Sequence, residues 1–176
     1  YILDRITKKG FLVANINLEF DENGNIKNNF KINGILKDTK ISVLKKYKFE
    51  NLNLTFDYDQ NNLNLKDINL NLNNLNLFSK KIIIRNINDK FNISGDLETK
   101  NLELTTDNID IFIKPFLSHL NVKKIIFSSK NNFSFDLNKK FEFNNFNLIS
   151  ESKVQEFTII KNFRIKKYLP KINENI

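Results

Sequence analysis

The sequence predicts an all-β protein, and two features of the 176 residues carry that prediction. Apolar and polar residues alternate along most of the chain, the pattern of strands with one buried face and one solvated face. One stretch also occurs twice, because residues 30–36 and 91–97 both read Phe-x-Ile-x-Gly-x-Leu. We therefore expect a long, curved antiparallel meander with one short helix, whose sheet forms an open groove or taco-shaped trough.

The similarity between the two copies extends beyond these seven residues, so that residues 26–43 correspond to residues 87–104. Spacing by two places the Phe, Ile, Gly and Leu of each copy on one face of a strand. Gly34 and Gly95 then stand in an apolar row without a side chain. A glycine inside a strand marks a bulge, a bend or the close approach of another group. Two compatible explanations fit these glycines: a bulge that bends the sheet, or space left on the concave face of a curved sheet.

Turn residues divide the first half of the chain. A strand over residues 11–20 leads into Asp21-Glu22-Asn23-Gly24, whose Asn-Gly pair predicts a hairpin. Residues 38–40 suggest a turn or bulge, and residues 60–62 suggest a turn. The apolar alternation changes parity at Lys66-Asp67 and again at Asn73-Asn74. Each change requires a bulge or turn if the same face is to stay inward.

The period changes once in the second half. Apolar residues at 109, 112, 113, 116, 117 and 120 follow helical spacing. This favours a helix over residues 108–120, either kinked by Pro115 or beginning at it, although a strand over 109–113 stays open. Strands resume from residue 122, giving about a dozen in all. No linker interrupts residues 1–176, so we expect one domain that is a segment of a longer protein.

Charge and composition exclude several functions. The formal net charge is +8, but only three of the 28 basic residues are arginine and the lysines are scattered. Arginine is the usual reader of bases and phosphates, so we do not expect nucleic-acid binding. The chain has no cysteine and one histidine, His119. Neighbouring carboxylates such as Asp57 and Asp59 are more often solvated than catalytic, so we expect no enzyme, metal or cofactor.

The remaining indication of function is the apolar surface of the strands. Each strand exposes a row of apolar side chains that something must cover. An uncovered apolar trough suits lipid acyl chains, which need apolar contact and no directional hydrogen bonds. The alternative is a structural or adhesive β-solenoid or sandwich with a dry core. The predicted lining of the groove is Phe30, Ile32, Gly34, Leu36, Leu52, Leu54, Phe56, Leu63, Leu65, Leu70, Leu72, Leu75, Leu77, Ile82, Ile84, Phe91, Ile93, Gly95, Leu97, Phe133, Phe135, Phe141 and Phe143.

The repeat also carries a resemblance to a family. Phe20-Asp21-Glu22-Asn23-Gly24-Asn25-Ile26, then residues 30–36, then Ile41, resembles the strand pairs of the AsmA-like proteins of Gram-negative bacteria. The second copy keeps residues 91–97 and Leu102 but lacks the Asp-x-x-Gly hairpin, and Tyr168-Leu169-Pro170 is similar to a short motif of larger members.

The resemblance implies a long β-groove that binds phospholipid and carries it across the periplasm, from the inner membrane to the outer membrane. It also implies an inner-membrane anchor, which would lie outside this segment. The family's function depends on the groove lining as a whole, so no catalytic residue is implied.

Overall fold

A computed structural model describes residues 7–43, 47–88, 90–106, 108–109, 122–140 and 142–159. These residues form eight antiparallel strands in one open sheet, and each strand lies beside the next one in the chain. The strands are β1 (Thr7–Asn17), β2 (Lys31–Val43), β3 (Tyr47–Asp59), β4 (Asn62–Leu72), β5 (Leu75–Ile87), β6 (Lys90–Leu104), β7 (Val122–Asn138) and β8 (Phe143–Ile159).

The prediction of an all-β antiparallel meander is confirmed, but the expected dozen strands are eight long ones. The sequence breaks at residues 38–40 and 66–67 are bulges inside β2 and β4, not ends of strands. Asp38 (φ 50°) and Asp67 (φ 52°) adopt the left-handed conformation there. A bulge changes the parity of the side chains while the strand continues, which explains why sequence alternation overcounts the strands.

Only the start of the predicted helix lies among the described residues. Thr106, Asn108 and Ile109 are helical, and the Ile109 N–H donates to the Thr105 carbonyl at 2.9 Å. Residues 110–121, with Pro115 and His119, lie outside the described residues.

The predicted hairpin after β1 is confirmed. The Gly24 N–H donates to the Asp21 carbonyl at 3.0 Å, and Phe20 and Ile26 form an antiparallel bridge. The Asp21 carboxylate accepts the Asn25 N–H group at 2.8 Å and the Asn23 N–H group at 2.9 Å, and these bonds, the one from Asn25 foremost, hold the pKa of Asp21 below its usual range. The return strand starts at Lys31, because a second turn occupies residues 28–29.

The chain divides into two compact units, residues 1–100 with 129–152 and residues 101–128 with 153–176. Among the described residues of the second unit, Leu102, Leu104, Ile109 and Val122 are buried apolar side chains. In that unit Lys124 lies 3.9 Å from the Glu103 carboxylate and 3.0 Å from that of Glu156, and the hydrogen bond to Glu156 raises the pKa of Lys124. The single-domain expectation stays a prediction.

Within the first unit, the bulges mark one line across the sheet. Five small or β-branched side chains along this line are buried, at 2–6 % exposure: Thr39, Ile68, Ser79, Thr99 and Ser129. We call these residues the bend line. β-Bulges bend strands, so neighbours on the same face can close over short side chains. In β5 the bulge is held by Asp96 of β6, whose carboxylate accepts the Lys80 and Lys81 N–H groups, each at 2.9 Å.

Candidate ligand-binding face

The ladder of the first unit puts apolar residues from successive strands into transverse rows. Residues directly opposite one another in an antiparallel pair share a face. One row runs from β1 to β6 through Ile16, Ile32, Tyr58, Leu63, Ile84 and Ile93. The next row runs through Ala14, Gly34, Phe56, Leu65, Ile82 and Gly95. We call the side of the sheet that carries these rows the apolar face.

The two copies of the repeat therefore occupy equivalent places on the apolar face. Gly34 of β2 and Gly95 of β6 lie in the same row, and Ile32 and Ile93 share the next row. The copies are four strands apart in the sheet. The repeat is therefore a period in the sheet as well as in the sequence.

The apolar face continues through β7 and β8. The rings of Phe133 and Phe135 stack with centroids 6.1 Å apart, and Phe135 lies 5.1 Å from Phe143 of β8. Asp136, the neighbour of Phe135, points to the opposite face and accepts a hydrogen bond from Asn92 at 3.0 Å. Alternation along β7 is thus in phase with that of β6.

Beyond the bend line the same face continues towards the opposite ends of the strands. Leu52 lies opposite Thr39, Leu70 opposite Leu77, and Leu72 opposite Leu75. Asn51 (φ 51°) supplies the bulge that keeps Phe49 and Leu52 on one face. The parity changes read from the sequence are therefore bulges and turns that preserve the face, as expected, with Asn73 and Asn74 (φ 49° and 69°) forming the β4–β5 turn.

The structure brings the predicted lining residues that it describes to this one face, with Phe30 at its margin. The Phe30 ring, just before β2, lies 5.8 Å from the ring of Tyr58. Most of the predicted lining is half-buried, whereas Leu75 is buried at 6 % exposure and packs as core. Phe91 and Phe143 are exposed, at 36 % and 68 %. Phe141 lies outside the described residues.

Sequence reasoning missed several members of the face. In β1 the face is made by Leu12, Ala14 and Ile16, whereas Phe11 and Val13 point to the other side. Both sets are apolar, so alternation alone could not choose between them. The omitted members in the other strands include Phe49, Tyr58 and Ile68. Tyr58 could have been found from its position two residues after Phe56.

The two repeat glycines are explained by close approach, not by backbone conformation. Neither adopts a positive φ, unlike Gly10 and Gly24. A Cβ on Gly34 would lie 2.2 Å from the Val13 carbonyl oxygen and 2.8 Å from Cζ of Phe56. A Cβ on Gly95 would lie 2.7 Å from the Lys81 carbonyl oxygen and 2.9 Å from Cγ1 of Ile82. Each glycine therefore lets the neighbouring strand's side chain lie over its backbone.

The opposite face of the first unit is mainly polar, apart from apolar residues such as Phe11 and Val13 of β1. One row holds Asn17, Lys31, Asp59, Asn62, Arg85 and Asn92. Asn92 and Asn145 both donate to the Asp136 carboxylate, at 3.0 and 2.6 Å, and these bonds lower the pKa of Asp136. The row is thereby continued to β8. It keeps this side of the sheet solvated while the other side stays apolar.

The carboxylates considered for catalysis belong to this polar side. Asp57 pairs with Lys66 at 2.6 Å, and Asp59 accepts a hydrogen bond from the Asn62 amide at 3.0 Å. Both are exposed, partnered surface groups. Among the described residues no group of three or more His, Cys, Asp or Glu could hold a metal ion.

Two wider observations complete the description of the site. No helix among the described residues is long and apolar enough to cross a membrane. Comparisons with protein-family models, curated proteins and solved structures found no match for the chain.

Proposed function

We propose that the apolar face binds lipid and that phospholipid acyl chains lie along its rows. The observation that carries the proposal is that the apolar residues of a row across the sheet are not buried. The row of Ala14, Gly34, Phe56, Leu65, Ile82 and Gly95 crosses six strands, and none of its members is buried. In a sheet packed against a second layer such a row would be core. A continuous uncovered apolar surface is typical of a binding site.

The dimensions of the face suit acyl chains. Neighbouring strands are ~4.8 Å apart, so the path along the sheet from β1 to β8 is about 34 Å. An acyl chain spans about half of a ~30 Å hydrocarbon core. The face therefore has room for more than one chain along its rows, and it offers the non-directional contact that hydrocarbon requires.

Polar groups flank the apolar rows at one end of the strands. The β5–β6 and β7–β8 turns lie at this end, and Lys90 and Lys140 are exposed there. Ammonium groups at the margin of an apolar surface can pair with phosphate headgroups while the chains stay on the face. The backbone N–H of Lys140 is held by the Asn138 side chain at 2.9 Å, which orders this turn.

In this proposal the chain is a segment of a periplasmic lipid-transport protein. The sheet forms the wall of a groove between the inner and outer membranes, and a part of the protein outside this segment anchors it. These features follow from the resemblance to the AsmA-like proteins. The half-buried apolar face supports the binding step on which they depend.

The experiment is lipid binding by matched variants of one strand. Leu65→Asp places a carboxylate on the apolar face, and Asn64→Asp places the same group one residue away on the polar face. Native mass spectrometry of purified protein should show bound phospholipid for the wild type and for Asn64→Asp. Leu65→Asp should lose it while circular dichroism shows an unchanged sheet.

The same experiment separates lipid binding from a dry core. In a sandwich or solenoid, burying a carboxylate costs several kcal/mol. Leu65→Asp would then unfold the protein, instead of only removing its bound lipid. Leu70→Asp and Leu72→Asp test the far side of the bend line in the same way. Wild-type protein that carries no lipid and takes up none from phospholipid vesicles would refute the proposal.

A further inference from the structure

Asparagine followed by glycine occurs twice in the chain, at residues 23–24 and 33–34. Such a pair is chemically reactive, because the backbone nitrogen of the glycine can attack the side-chain carbonyl carbon of the asparagine. Glycine favours the attack because it has no side chain to shield its nitrogen. Both asparagines are exposed, so exposure alone does not distinguish the two pairs.

The second pair is held by strands on both sides. Asn33 lies in β2, opposite Asn15 of β1 and Asp57 of β3. The attack requires the peptide between asparagine and glycine to rotate until its nitrogen faces the asparagine side chain. In an interior strand that rotation breaks ladder hydrogen bonds to a neighbouring strand. The close packing at Gly34, where a Cβ would lie 2.2 Å from the Val13 carbonyl oxygen, opposes the rotation further.

The first pair lies in the hairpin turn after β1 and is more open. The Asn23 side chain forms no hydrogen bond with the residues that the structure describes. Gly24 has a φ of +81°, and no atom lies within 4 Å of the position of an added Cβ. The Gly24 N–H donates to the Asp21 carbonyl at 3.0 Å. Rotation of the peptide between Asn23 and Gly24 therefore breaks this turn hydrogen bond, but it disturbs no ladder between strands.

We propose that Asn23 is a site of spontaneous deamidation in the folded protein, whereas the sheet protects the identical pair at Asn33. The Gly24 nitrogen gives up its proton to solvent and forms a bond to Cγ of Asn23. The side-chain nitrogen then takes up a proton, its bond to Cγ breaks, and it leaves as ammonia. Water is the co-reactant, because it opens the resulting succinimide ring at one of the two carbonyl carbons. The products are aspartate and isoaspartate.

Conversion changes the hairpin in two ways. It adds a negative charge at residue 23, close to the carboxylates of Asp21 and Glu22, and like charges repel. In isoaspartate the main chain also runs through the former side chain and is one methylene longer. The Asn25 N–H, which donates to the Asp21 carboxylate at 2.8 Å, is then displaced from that carboxylate. We therefore expect conversion to loosen the hairpin, and this expectation is independent of lipid binding.

The test follows both pairs in one sample. Trypsin cleaves after lysine and arginine, so it places the two pairs in separate peptides, residues 10–27 and residues 32–37. The folded wild type is incubated at mildly alkaline pH, and a sample digested without incubation corrects for conversion during digestion. Mass spectrometry should show the amide-to-acid mass gain in residues 10–27, located at Asn23 by fragmentation, and no gain in residues 32–37. In urea, where the sheet is unfolded, both peptides should gain the mass.

Asn23→Gln is the matched variant, because a glutamine side chain is one methylene longer and closes the ring far more slowly. It should remove the mass gain from residues 10–27 and leave the conversion of residues 32–37 in urea unchanged. A folded wild type that keeps residues 10–27 intact while the urea-unfolded chain converts would overturn the proposal, since the turn would then protect Asn23. Equal conversion of the two peptides in the folded protein would also overturn it.

Two further measurements identify the product. A methyltransferase specific for isoaspartate should label the incubated wild type but not the incubated Asn23→Gln protein. Hydrogen exchange at the Asn25 N–H should be faster after incubation, because its bond to the Asp21 carboxylate is lost. Equal labelling of wild type and Asn23→Gln would place the reactive asparagine elsewhere in the chain and overturn the proposal.

Discussion

Substitution of Gly34 by alanine decides whether the repeat glycine is structurally required. Gly34 has no positive φ, so alanine meets no conformational strain there. Alanine in a strand is otherwise favoured over glycine by roughly 0.5–1 kcal/mol, because it loses less backbone freedom on folding. If the site had open space, Gly34→Ala would therefore stabilise the protein.

The geometry predicts the opposite sign. The added methyl group would lie 2.2 Å from the Val13 carbonyl oxygen, and a backbone atom of β1 cannot rotate away. Relief requires β1 to move by about 1 Å or the β1–β2 ladder to open locally, since carbon contacts are normally ~3.5–4.0 Å. Overpacking of this kind costs about 1–3 kcal/mol, which exceeds the entropic gain. We expect a net loss of about 1–2 kcal/mol.

Urea unfolding followed by circular dichroism measures this loss. With a slope of ~1–3 kcal/mol/M, a loss of that size lowers the unfolding midpoint by roughly 0.3–2 M. Gly24→Ala is the control for backbone strain without contact, because its φ is +81° and no atom lies within 4 Å of the added Cβ. Adding Phe56→Leu to Gly34→Ala removes the ring contact but leaves the Val13 oxygen, so it should restore stability only in part. A Gly34→Ala protein as stable as wild type would refute the close-approach explanation.

Three further predictions concern the bulges, the bend line and the polar face. Asp67→Gly should stabilise the protein relative to Asp67→Ala by about 1 kcal/mol in urea unfolding, because residue 67 has φ 52° and alanine is strained in that conformation. Ser79→Ala should be nearly neutral because the buried hydroxyl has no hydrogen-bond partner. Thr99→Val should cost about 1–3 kcal/mol because Thr99 Oγ1 accepts the Ser129 N–H at 3.1 Å; equal midpoints for the two variants would contradict this contrast. The lowered pKa of Asp136 contributes stability that is present above its unfolded value of 3.8 and is lost as the pH falls through the lower folded value. The stability of wild type should therefore exceed that of Asp136→Asn above this range and converge with it as the pH falls through the range, whereas curves that stay parallel would argue against the Asn92 and Asn145 bonds.

Alternation predicted the strands correctly because a period of two is imposed locally by the backbone. The parity change at Lys66-Asp67 likewise predicted a bulge or a turn, and Asp67 supplies a bulge. In the part of the chain that the structure describes, the expected number of strands was too high for the same local reason. A bulge and a turn both reverse parity, and only hydrogen bonding to the neighbouring strand tells them apart.

The face of β1 could not be chosen from its sequence. Phe11 and Val13 alternate with Leu12 and Ile16, and both sets are apolar. The choice depends on register with β2, where Ile16 lies opposite Ile32. Register is a pairing between residues 16 positions apart in the chain, so no local pattern contains it.

The sequence alone determined the all-β class, the repeat and the grouping of its apolar residues by parity. It also singled out Gly34 and Gly95 as unusual, since the chain has only four glycines. Only the tertiary structure decided that these two glycines share one transverse row and that each is crowded by a neighbouring strand. The physical reason is that alternation is a property of one strand, whereas rows and close approaches are created by the hydrogen bonds that align strands distant in sequence.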